Sequence, residues 1–178
     1  NCDMSSVTND FPRILDYRCV TGDLYEHDVT NSYAHPHTAL RSTICYIPTS
    51  QTILVEVDMY YAVLSDAGNN IVGRLCVSGT NDEIWDEEIN DLSLCYPTSN
   101  TSFANNYESA SGRRTATWIL RFPSAKIGNL INLEPQFKTT HSTGAKFISG
   151  RSGSGSSLHD FGLMSMTITA IPTTAFEI

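Results

Sequence analysis

The chain has 178 residues, 17% of them charged, and 11 Lys and Arg face 19 Asp and Glu for a formal net charge of −8. A chain of this length fits one domain with a real core. The shortage of cations argues against duplex nucleic acid or an anionic membrane as partner, since both are held through Lys/Arg clusters.

Polarity comes from 20 Ser, 19 Thr and 12 Asn, while the cations are eight Arg and three Lys, so the surface hydrogen-bonds more than it ionises. No apolar run reaches the roughly 18 residues of a membrane span, so no membrane insertion is expected. The opening "NCDMSSVTND" has no basic start or apolar centre, which argues against a signal peptide, and no initiating Met. The expectation is a single domain over 1–178, excised from a longer chain.

In chain order, "RILDYRCV" and "DLYEHDVT" are the first strand candidates, followed by the polar loop "NSYAHPHTALR" and a third candidate, "STICYIP". The strongest periodicity is "TILVEVDMYYAVL", where Ile53, Val55, Val57 and Met59 alternate with Leu54, Glu56, Asp58 and Tyr60. That is the period of a half-buried strand. Asp66, Gly68, Asn69 and Asn70 are turn formers, and "IVGRLCVS" follows at once. Ile53–Leu64 and Ile71–Ser78 therefore read as an antiparallel hairpin.

"NDEIWDEEIND", Asn81 to Asp91, holds six carboxylates and no cation. Trp85, Ile89 and Leu92 fall at i, i+4 and i+7, and Thr80 with Glu83 has the capping-box spacing, so a short helix over about 81–92 is expected. After the long loop "YPTSNTSFANNYESASGRR" come "TATWILRF", "LINLEP", "AKFIS" and "FGLMSMTITAI". In "TATWILRF", Trp118, Leu120 and Phe122 share a face. In the last segment Met164, Met166, Ile168 and Ala170 do so. Many short strands rich in β-branched and aromatic residues predict an all-β fold, an antiparallel β-sandwich or jelly-roll-like barrel with long polar loops.

Five widely spaced cysteines without a CxxC pair argue against a zinc or thioredoxin-type site. The odd number leaves at least one thiol outside any intramolecular pair, and a reduced chain or one with one or two disulfides both fit. The acidic stretch carries like-charge pairs at i, i+4, among them Asp82/Asp86, Glu83/Glu87 and Glu87/Asp91, each destabilising by about 0.2–0.5 kcal/mol. An Arg from elsewhere or a divalent cation would offset them. Calcium, hard and oxygen-seeking, is the candidate metal at Asp82, Glu83, Asp86, Glu87 and Asp91, although the EF-hand spacing is absent. No cofactor is otherwise required.

Carboxylates on a wet helix face have no apolar pocket to raise one pKa, which counts against glycosidase chemistry. No G-x-S-x-G elbow, P-loop or dinucleotide fingerprint is present, since "GRSGS" around Ser152 lacks the second Gly. The expectation is that the chain is not an enzyme. His35 and His37 flank a Pro and splay apart in extended backbone with no third ligand evident, so they read as loop residues. Asn100 heads a glycosylation sequon, "NTS". Tyr33, Tyr96, Phe103 and Tyr107 lie in long loops among Asn and Ser, a composition that binds partners through rigid area and adaptable hydrogen bonds. Aromatics tucked onto the core as anchors are the other reading.

A Ser/Thr/Asn-rich, Lys-poor, acidic β-domain with decorated loops and the long last segment "FGLMSMTITAIPTTAFEI" resembles the protruding or receptor-binding domains of non-enveloped virus capsids. The resemblance implies a domain at the virion surface that self-associates as a dimer or trimer. It also implies attachment to a host receptor or glycan through outer loops, here Tyr33, His35, His37, Tyr96, Phe103, Tyr107 and Arg151. A secreted carbohydrate-binding module or adhesin is the alternative, and a secreted hydrolase stands behind both.

Overall fold

The computed structural model describes residues 12–45, 51–63, 71–77, 111–120, 130–139, 145–152 and 159–172. These residues form an antiparallel β-sandwich. Its strands are β1 (Arg13–Cys19), β2 (Tyr25–Val29), β3 (Ser42–Cys45), β4 (Gln51–Val63), β5 (Ile71–Val77), β6 (Ser111–Leu120), β7 (Leu130–Thr139), β8 (Ala145–Ser152), β9 (His159–Gly162) and β10 (Ser165–Pro172). One sheet has seven strands, with β1-β10-β4-β8-β2 in order, β6 on β4 and β9 on β8. The other has three, β3-β7-β5. No α-helix occurs among the described residues, where a 3₁₀ turn, Thr38–Leu40, is the helical element. The expected helix over 81–92 lies outside them.

The alternation read in β4 decides which face it buries. Ile53, Val55, Val57 and Met59 are buried, and Leu54, Glu56, Asp58 and Tyr60 are partly exposed. Ala116 and Trp118 of β6 and Met164, Met166, Ile168 and Ala170 continue the same inner face. From the small sheet Ile44, Ile71, Leu75, Ile131, Leu133 and Phe137 meet them. At the centre the Phe137 ring stands 4.9 Å from Phe147 and 6.1 Å from Trp118, centroid to centroid, in edge-on and tilted geometry. Aromatic pairs prefer such angles because the positive ring edge meets the negative face.

The expected hairpin of β4 and β5 does not form. β4 has β6 along one edge and β10 followed by β8 along the other, so both rows of its backbone groups are used. β5 instead pairs with β7 in the opposite sheet, Ile71 opposite Thr139 through Val77 opposite Leu133. Its sequence agrees with that place. Ile71, Val72, Leu75 and Cys76 are all buried, so β5 reads as a nearly continuous apolar run.

Two further elements run differently from the sequence reading. The last predicted strand is two strands, because Gly162 takes φ +71° and turns the chain between β9 and β10. Gly reaches that region without the Cβ clash that other residues meet. Arg113 of β6 closes this turn, donating from Nη1 to Phe161 O at 2.7 Å and from Nη2 to Leu163 O at 3.1 Å and to Asp58 Oδ2 at 2.5 Å. In the other case β7 runs four residues beyond Pro135, where "LINLEP" would end. Pro135 has no N–H to offer, and it falls between Leu133, opposite Ser42, and Phe137, bonded to Ala34. It thus sits where one ladder stops and another has not begun, a place a strand tolerates proline.

Candidate functional site

The segment Thr30–Arg41 is not a free loop. Its backbone is stitched to the edge of β7 beyond the end of β3: Thr139 N donates to Thr30 O at 2.7 Å, Ala34 N to Phe137 O at 3.1 Å, and Phe137 N to Ala34 O at 2.9 Å. Further along, Tyr25 of β2 donates its hydroxyl to Pro36 O at 2.5 Å and sets its ring edge-on to His37 at 4.6 Å. His37 Nδ1 accepts from Ala39 N at 3.0 Å and caps the 3₁₀ turn. The turn buries Leu40 completely. Burial also raises the pKa of the Tyr25 phenol above its ordinary value.

Under this segment lies a polar network on the outer face of the small sheet. Glu134 of β7 is buried at 6% exposure, an unusual place for a carboxylate. Arg41 Nε donates to its Oε2 at 2.7 Å, Gln136 Nε2 to its Oε1 at 3.2 Å, and His35 Nδ1 lies 3.4 Å from Oε1. The chain of contacts continues outward. Arg74 Nε of β5 donates to Gln136 Oε1 at 2.9 Å, and the Arg74 guanidinium stands over the Tyr33 ring, 4.2 Å from its centroid. Lys138 Nζ stands over the same ring at 4.3 Å.

His27 of β2 stacks near Phe147 at 6.5 Å and keeps Nε2 buried without a hydrogen-bond partner. Burial first, then the charge of His35, hold its pKa below the ordinary histidine value; Asp28 pulls the other way, and His37 adds a smaller lowering. The cost of an imidazolium at that depth explains the direction. Among the described residues no group of three or more His, Cys, Asp or Glu is placed to hold a metal ion.

The structure thus brings Tyr33, His35 and His37 together on one segment held to β7, each of them half-buried. Arg151 stands apart from them, on the β8–β9 hairpin of the large sheet, where its Nε donates to Asp160 Oδ2 at 3.0 Å. Tyr96, Phe103, Tyr107, Asn100 and the acidic residues Asp82, Glu83, Asp86, Glu87 and Asp91 lie outside the described residues. The sequence reading missed Arg41, Arg74, Glu134, Gln136 and Lys138. A signal existed: Asn132, Glu134, Gln136 and Lys138 alternate with Ile131, Leu133, Pro135 and Phe137, so the period of two runs through the proline.

No protein-family model matches the chain, and no curated protein matches it. Two structures of infectious bursal disease virus are loosely similar in fold. The Gx strain gives a TM-score of 0.37 at 10% identity, over 96% of this chain and 40% of that one. The Gt strain gives 0.34 at 11% identity, over 97% and 40%. The chain therefore spans well under half the length of either. No helix among the described residues is long and apolar enough to cross a membrane.

Proposed function

We propose that this chain is a non-catalytic structural and interaction domain at the surface of a virion, self-associating and attaching to a host receptor or glycan. One observation carries the reading. The Thr30–Arg41 segment is held to β7 by backbone hydrogen bonds while Tyr33, His35 and His37 keep part of their surface in water. A recognition segment held in place loses little conformational entropy when it binds. Its Tyr, His, Asn and Ser side chains supply the amphipathic area and hydrogen bonding that such surfaces use.

The large sheet supports the self-association part. Across it, Ile14 of β1 lies opposite Thr169, Thr169 opposite Leu54, and Leu54 opposite Ile119, so these four residues form one row on its outer face. Ile14 and Ile119 are 65% and 51% exposed, and Tyr17 nearby is 55% exposed. Apolar side chains gathered on one flat face mark an association surface more often than scattered ones do.

The test is made on the chain itself. Sedimentation that shows a dimer or trimer, with saturable attachment to cells or glycans that Tyr33→Ala and His37→Ala weaken, supports the reading. A chain that stays monomeric and attaches to neither overturns it.

A further inference from the structure

We propose that Arg74, Lys138 and Tyr33 form a site for an acidic glycan, one that offers a carboxylate or sulfate group to the outer face of the small sheet. The inference rests on the attachment reading above and names the class of ligand.

Arg18, Arg41, Arg113, Lys146 and Arg151 each lie within 3.0 Å of a carboxylate oxygen. Among the described residues Arg13, Arg74, Arg114 and Lys138 have no such partner, and of these Arg74 and Lys138 stand over a single ring, at 4.2 and 4.3 Å from the Tyr33 centroid. Two like charges are thereby held well inside the screening length of about 10 Å at 0.1 M salt. The quadrupole of the phenol face attracts each of them but leaves their net charge in place. In a chain of net charge −8, this is a local excess of positive charge.

The carboxylate on the same face does not relieve it. Glu134 is already engaged by Arg41 at 2.7 Å, by Gln136 at 3.2 Å and by His35 at 3.4 Å. Gln136 also accepts from Arg74 Nε at 2.9 Å, which fixes the plane of the guanidinium. Among the described residues no hydrogen bond uses the two Nη groups of Arg74. A planar fork held in this way matches a carboxylate or sulfate with two parallel hydrogen bonds, and the Lys138 ammonium adds a point charge beside it.

The surroundings favour a sugar over a bare anion or a nucleic acid. Asn31 and Ser32, next to Tyr33 in the chain, are exposed, and His35 is partly so, and all can bond sugar hydroxyls. A two-cation patch is too small to follow a phosphate backbone, which calls for a run of such contacts.

The experiment presents the chain with sialylated and sulfated oligosaccharides and their neutral parent sugars at several salt concentrations. Variants Arg74→Gln and Lys138→Gln are compared with Arg13→Gln, a cation on another strand, and melting curves verify folding. The expected result is acidic-glycan binding that weakens as salt rises, falls about tenfold or more in R74Q and K138Q, and is unchanged in R13Q. Preference within the acidic set tells a carboxylate from a sulfate. If R74Q does not fold, K138Q and the salt dependence of the unaltered chain carry the test. Equal binding of acidic and neutral sugars, unaffected by K138Q, overturns the acidic site and leaves glycan attachment standing. Cell attachment without any glycan binding overturns the site and leaves a protein receptor. Loss of all attachment overturns both readings.

Discussion

Gly73 of β5 lies flat against Phe137, so close that a Cβ built on it would come 2.7 Å from Cε1 of that ring and 3.2 Å from Trp118. β5 and β7 approach the aromatic centre of the sandwich at this point because one residue lacks a side chain. Both rings are essentially without solvent exposure, so neither can swing aside into water. Gly73→Ala is expected to destabilise the domain by about 1–3 kcal/mol, the usual range for overpacking a tight core. Urea midpoints of the two proteins check this, and an unchanged midpoint would show that the ring moves freely.

Removing the ring itself should cost more. Phe137→Ala opens a cavity between Trp118 and Phe147, and about 3–5 kcal/mol is expected. The combination of Gly73→Ala with Phe137→Ala should be milder than the sum of the two, because the added methyl enters the emptied space. A strictly additive pair in chemical denaturation would count against direct packing.

The Arg41–Glu134 pair tests the network under the Thr30–Arg41 segment. Glu134 has 8% of its side chain exposed and Arg41 has 48%, so solvent screens one side of the pair. A double-mutant cycle with Arg41→Ala and Glu134→Gln is expected to give a coupling of about 1–2 kcal/mol, below the value of a fully buried pair. Coupling near zero would mean that Glu134 is held by Gln136 and His35 alone.

His27 and Asp16 give pH dependence on the acid side, and both act in the same direction. Burial and the neighbouring His35 and His37 charges depress the pKa of His27, so the unfolded chain takes up its proton first as pH falls. Stability is therefore full above the unfolded value of about 6.5 and declines below it. Asp16 adds a second loss at lower pH. Burial would raise its pKa, but hydrogen bonds from Ser42 and Arg18 outweigh that and hold it below the ordinary value. Its contribution is present above the unfolded value of about 3.9 and is lost as pH falls through the folded one. Melting temperatures at pH 7.5, 6.5 and 5.5 should fall in that order, and His27→Gln should flatten the trend. A variant with the same slope as the parent would remove His27 from the explanation.

For self-association, Ile14→Asp and Ile119→Asp place charges on the exposed row of the large sheet without touching the core. Each is expected to shift the sedimentation profile toward monomer while melting stays within about 0.5 kcal/mol of the parent. Unchanged sedimentation would send the search for the interface to another face.

The sequence by itself determined where most of the strands lie and, in the central ones, which side each buries. Ile53 to Met59, Trp118, and Met164 to Ala170 declare their inner faces because a pleated strand alternates sides at every residue, a rule that needs no neighbour. Which strands pair is another matter. A turn-forming stretch after β4 suggested a hairpin with β5, yet both edges of β4 are taken by β6, β8 and β10, whose paired residues lie 49 to 121 positions further along the chain. Local turn chemistry cannot register competition for backbone edges by partners so remote. The same holds for the candidate site. Tyr33, His35 and His37 read as loop residues in the sequence, but their half-buried place against β7 depends on where β3 pairing ends and on Pro135. Arg74 and Lys138 sit some 60 residues apart in the chain, and only the β5–β7 pairing in the folded sandwich brings them to opposite strands and over one ring.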